Sequence, residues 1–100
     1  MTDPYERVVD DLLAAIRTHL QHQHDRSPTD AAVAAYISRS TPTDMYHDLR
    51  QYPECRTPAR QLKGGRSNTS HVLYVMLWGA GQRLDSHRSL AQRGQEQAPA

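Results

Sequence analysis

Val72-Leu73-Tyr74-Val75-Met76-Leu77-Trp78 is the longest apolar run in the chain, and whether it is helix or strand decides the fold class. Its β-branched and aromatic side chains suit a strand over 72–78, and periodicity does not separate a short buried strand from a buried helix. Length does help: apolar positions continue through Ala80 to Leu84, and Ser67 or Asn68 can cap a helix upstream. A helix over about 68–84 fits best, apolar almost all round, as expected of an element buried on several sides or between subunits. Gly79 and Gly81 are expected to weaken its end. From Asp85 onward, polar residues with glycine and proline read as a tail. The expected organisation is therefore a single helical domain over 1–84 and a flexible C-terminal tail over 85–100.

Upstream, the pattern is helical throughout. Tyr5, Val8, Val9, Leu12, Leu13, Ile16 and Leu20 fall on one stripe of helical period, which predicts a helix from about Pro4 to about His22. Asp3 can cap it, with Pro4 and Glu6 in the first turn. Ser27-Pro28-Thr29-Asp30 and Thr41-Pro42-Thr43-Asp44 then repeat one start signal: a hydroxyl cap, a proline whose missing N–H costs nothing, and an acid facing the positive helix end. Thr57-Pro58-Ala59-Arg60 is a weaker copy. Short helices are expected over about 28–37, 42–52 and 58–63. The first is alanine-rich (Ala31, Ala32, Ala34, Ala35), so a neighbouring helix can approach closely. The second offers Met45, Tyr46, Leu49 and Tyr52 to the core and is stopped by Pro53. The third is ended by Gly64-Gly65. The expected class is all-α, a small multi-helix domain.

One hundred residues support one domain. Of the 37% that are hydrophobic, 11 residues are alanine and none is phenylalanine, so the core is small and a partner subunit would help. No run approaches the roughly 20 apolar residues of a membrane span, and no membrane partner is expected. Met1-Thr2-Asp3-Pro4 shows no basic-then-apolar secretion signal, and Cys55, the lone cysteine, excludes an internal disulfide; both fit a cytoplasmic protein.

The net charge of +1 conceals a gradient. Residues 1–30 carry six carboxylates against three arginines, whereas residues 50–66 carry Arg50, Arg56, Arg60, Lys63 and Arg66 against Glu54 alone. Eleven of the twelve cations are arginine, the side chain that grips phosphate and guanine edges bidentately. A solvated basic loop and a nucleic-acid footprint both fit this block.

Two short capped helices joined by a turn over Pro28–Tyr52 have the outline of a helix-turn-helix. Val33-Ala34-Ala35-Tyr36-Ile37-Ser38-Arg39-Ser40-Thr41, closed by Leu49, resembles the helix-turn-helix of bacterial and phage DNA-binding regulators, over about twenty of the hundred residues. The resemblance implies that the start of the third helix enters the major groove, with Arg39, Thr43, His47 and Arg50 as contacts. Asp44 and Asp48 would repel phosphate on that face. A plain helical hairpin packed into the core remains the alternative. A second frame, Ala59 to Val72 with Gly65 near its turn, competes for the same role. It carries Arg60, Lys63 and Arg66, and Asn68, Thr69, Ser70 and His71 could reach base edges or phosphates. In either frame the basic block, including Arg56, is the expected phosphate-facing surface.

Other chemistries find little footing. His19, His22 and His24 beside Asp25 are the only metal-like group, but a structural zinc site wants four well-spaced ligands; a polar, solvated helix end is expected and no metal. Cys55 sits between Glu54, which would raise its pKa, and Arg56, which would lower it, with no ordered triad nearby. Lys63-Gly64-Gly65 lacks a nucleotide-binding spacing, so no cofactor is expected. No enzyme is expected. The expectation is a small DNA-binding regulator that binds double-stranded DNA as a homodimer through the Val72–Leu84 segment. The alternative is an adaptor or inhibitor of the phage or mobile-element type that docks on a larger host protein.

Overall fold

In a computed structural model that describes residues 4–63 and 68–96, with side chains up to residue 86, the apolar run at 72–78 lies inside a long helix. The described residues contain no strand. They form α1 (Pro4–His24), α2 (Asp30–Arg39), α3 (Pro42–Leu49), a 3-10 turn (Pro53–Cys55), α4 (Arg56–Arg60) and α5 (Asn68–Glu96). The strand alternative fails for a packing reason. Leu73 and Leu77 are buried while Val75, midway between them, is 51% exposed; a period-two strand would put all three on one face, whereas a helix puts Val75 on the far side.

Two of the three start signals act, one of them with a shift, and the third does not: Thr57 lies inside α4, which follows Cys55 with no side-chain cap. Thr41 caps α3 as expected: its hydroxyl accepts from the Asp44 amide, the Asp44 carboxylate accepts from the Thr41 amide, and Pro42 opens the helix. At the first copy, Thr29 rather than Ser27 is the cap, accepting from the Ala32 amide, so α2 begins at Asp30 and runs on to Arg39. The hydroxyl two residues later commands the same geometry and leaves Pro28 outside the helix. α3 ends at Leu49, earlier than expected, and Pro53 opens the 3-10 turn. α4 starts at Arg56, with Pro58 inside its first turn.

α1 and α5 frame the molecule, and α2 packs most extensively on α5. The core is Leu12, Ile16 and Leu20 of α1, Val33 and Ile37 of α2, Met45 and Leu49 of α3, Ala59 and Leu62 around α4, and Leu77 of α5. The alanines of α2 do admit a close neighbour. A Cβ built on Gly81 would lie 3.2 Å from Ile37 Cδ1 and 3.5 Å from Ala34 Cα. Gly81 therefore lets two helices touch instead of ending one, contrary to the expectation from its low helix propensity. A polar tie fixes the same joint: the Tyr74 hydroxyl donates to the Ser40 carbonyl at 3.0 Å. The Ser70 hydroxyl donates to the Gln61 carbonyl at 3.1 Å and ties the start of α5 to the end of α4.

α5 continues to Glu96, past the expected end of the helical domain at Leu84. Once nucleated on the core, a helix adds one hydrogen bond per residue, and no proline intervenes before Pro99. Nor is its apolar part enclosed all round: Leu73, Leu77 and Ala80 enter the core of the same chain, while Val72, Val75 and Trp78 stay exposed. No helix among the described residues is long and apolar enough to cross a membrane.

Candidate nucleic-acid interface

The basic block owes its geometry to helical phase. Cys55, Ala59 and Leu62, at i, i+4 and i+7, are buried. Arg56, Arg60 and Lys63 each follow one residue later, so they form a parallel outer stripe, and all three are exposed. Tight i→i+3 bonds carry that phase past the end of α4, the Lys63 amide donating to the Arg60 carbonyl. Arg50 caps the C-terminus of α3, which packs on α4. The result is one open concavity of about 410 Å³ lined by Arg50, Arg56, Arg60, Lys63 and Tyr46.

No carboxylate lines it, and none of the four cations is in an ion pair among the described residues. The Arg50 guanidinium lies over the Tyr46 ring, 5.5 Å from its centroid. The Arg56 Nε donates to the Arg50 carbonyl at 3.4 Å, which draws the two arginines together. Four like charges sharing one concavity repel each other, and an anion seated between them relieves that repulsion.

The other candidates separate from this cluster. Arg39 and His47 line a second cavity of about 400 Å³, which they share with Asp44 and Asp48. That face is therefore mixed in charge. Thr43 and Asn68 are exposed at the starts of α3 and α5 and line neither cavity. Arg66 lies outside the described residues, as does the Gly64-Gly65 turn of the second frame.

Asp48, half-exposed on the mixed-charge face, also organises a network with buried side chains that pattern reading missed. The Tyr36 hydroxyl donates to Asp48 Oδ2 at 2.7 Å, and His19 Nε2 stands 3.7 Å from the same oxygen. His19 Nδ1 and the Tyr52 hydroxyl are hydrogen-bonded at 2.9 Å. His19 is only 1% exposed, so the expected solvated histidine cluster is corrected: His22 and His24 face solvent, whereas His19 belongs to the interior. The reason is phase, since His19 follows Ile16 by three residues and Ala15 by four on the core face of α1. Burial pushes the His19 pKa below its ordinary value; the Asp48 carboxylate opposes this, and Arg39, His22 and His24 reinforce it. Burial likewise pushes the Tyr36 hydroxyl well above its ordinary value, helped by its bond to Asp48. Tyr52 is raised by burial and then by Asp48.

No group of three or more His, Cys, Asp or Glu among the described residues is placed to hold a metal ion. Cys55 is buried, and burial followed by Glu54 raises its thiol pKa, opposed by a hydrogen bond with Thr18; Arg56 lies on the outer stripe. Tyr46 is the member of the concavity that sequence reasoning assigned to the core. Its i, i+4 spacing to Arg50 was the available signal.

Comparison with known proteins finds no counterpart: no family model, no curated protein and no solved structure matches the chain.

Proposed function

We propose that the chain is a small DNA-binding protein, a transcriptional regulator acting as a dimer, which grips the phosphate backbone with Arg50, Arg56, Arg60 and Lys63. The observation that carries this is the convergence of four exposed cations, from two packed elements, on one concavity that no acid lines. Arg50 caps the C-terminus of α3, the second helix of the α2–α3 pair that resembles a helix-turn-helix. The basic grip therefore sits at the opposite end of α3 from the start expected to enter the major groove. Arg39 and His47 lie on a face shared with Asp44 and Asp48, and this favours the basic block as the phosphate contact.

Fluorescence anisotropy with a duplex at low salt tests the assignment. Four neutralised phosphates give a slope of log K against log salt of about −3.6, a roughly 150-fold loss for a fourfold rise in salt. Arg56→Ala and Arg60→Ala each flatten that slope by about 0.9. The proposal fails if no duplex binds at low salt, or if both variants keep the parent slope.

The second reading is an adaptor that docks on a host protein. The exposed Trp78, Val75 and Val72 favour it. A discrete protein partner at fixed stoichiometry, held through those side chains with no nucleic acid present, would support it over the first.

A further inference from the structure

α1 and α5 leave a groove of about 750 Å³ between them, the largest of the cavities described. Val9, Leu13 and Met76 are among the apolar residues that line it. Charge is divided between its two walls: Glu6 and Asp10 stand on α1, and Arg83 stands on α5. None of these three is in an ion pair among the described residues. Beside the groove runs an apolar ridge on α5, where Val72 is 43%, Val75 51% and Trp78 44% exposed. These three follow each other at i, i+3 and i+6, so they form one stripe along the helix. Val75 belongs to both features, so ridge and groove are contiguous.

We infer that this face is an isologous interface with a second copy of the chain, in which the ridge of each copy, led by Trp78, enters the α1–α5 groove of the other. An isologous contact requires one patch to complement itself. This patch carries a projection beside a recess, and acids on one wall against a base on the other. A twofold axis through it brings each Arg83 to the acidic rim of the partner copy, twice over. The same charges oppose a purely apolar or uniformly charged partner. The Trp78 ring supplies the large apolar anchor that interface centres favour, and the charges belong to the rim. The inference deepens the dimer part of the proposed function and does not depend on the DNA part.

Sedimentation equilibrium over a wide concentration range, with the full chain free of nucleic acid, tests it. The parent chain is expected to move reversibly from one to two chain masses. Trp78→Glu, at a position with no part in the monomer core, is expected to weaken dimerisation by roughly thirtyfold or more while leaving the circular dichroism spectrum unchanged. Arg83→Glu and Asp10→Arg should each weaken it several-fold, and the double variant should recover most of the loss, because the swapped charges meet again across the axis. A parent chain that stays monomeric overturns both this interface and the dimer reading. A dimer indifferent to Trp78→Glu overturns this interface alone. Two single variants whose losses simply add overturn the charge pairing that sets the register. A parent that is monomeric but binds a different protein through Trp78 also overturns the inference.

Discussion

Replacing Gly79 and Gly81 separately by alanine measures how closely α5 lies on α2. The two glycines are two residues apart in one helix, so alanine brings each nearly the same intrinsic gain of about 1 kcal/mol. Their surroundings differ. A Cβ on Gly79 meets nothing within 4 Å, whereas one on Gly81 lies 3.2 Å from Ile37 Cδ1 and 3.5 Å from the Ala34 backbone. Ile37 is fully buried, so its methyl has little room to move, and overpacking a tight core costs about 1–3 kcal/mol. Gly79→Ala is therefore expected to stabilise the protein by about 1 kcal/mol, a rise in Tm of about 4–8 °C for a domain of this size. Gly81→Ala is expected to range from neutral to about 2 kcal/mol destabilising once the packing cost offsets the propensity gain. Gly81→Val, with more bulk against the same backbone, should be worse. Thermal and urea melts followed at the helical circular dichroism band give both numbers. Running them at two protein concentrations separates any contribution from self-association. If Gly81→Ala stabilises as much as Gly79→Ala, the helices are not in contact at this point and the α2–α5 joint is wrong.

Two further outcomes follow from caps and from the buried histidine. Thr29→Ala should cost about 1 kcal/mol through the lost bond to the Ala32 amide, whereas Ser27→Ala should change stability by less than about 0.5 kcal/mol; urea melts that reverse the order would return the cap to Ser27. His19 is held neutral by burial, so its folded pKa lies below the unfolded value of about 6.5. The unfolded chain then binds the proton more readily. The stability that His19 contributes is complete above about pH 6.5 and is lost as pH falls toward the folded pKa, at no more than about 1.4 kcal/mol per pH unit. His19→Gln should flatten that acid limb in urea titrations, and an unchanged limb would place the titration elsewhere.

Much of this architecture is legible in one dimension because its causes are local. The stripe from Val8 to Leu20, the Thr41-Pro42-Thr43-Asp44 cap and the apolar positions from Leu73 to Ala80 each specify a helix through neighbours within a few residues. The outer stripe of Arg56, Arg60 and Lys63 is local in the same sense, since it follows from helical phase against Cys55, Ala59 and Leu62. Other features depend on residues far apart in the chain. Arg50 joins the basic stripe only because α3 folds back onto α4. Asp48 meets Tyr36 and His19 only because three helices converge there, which ties a half-exposed acid to two side chains of the core.

Gly81 shows where the division falls. A propensity scale treats it as a flaw in a helix, because that scale weighs one residue against its own backbone. Its value lies in a helix more than forty positions upstream, where Ile37 and Ala34 occupy the space a side chain would need. Neighbouring residues set the turns, caps and faces of this chain through short-range hydrogen bonds and spacing. Which faces meet, and which charges end up side by side, depended on closing long loops and filling one shared volume, and no local pattern encodes that volume.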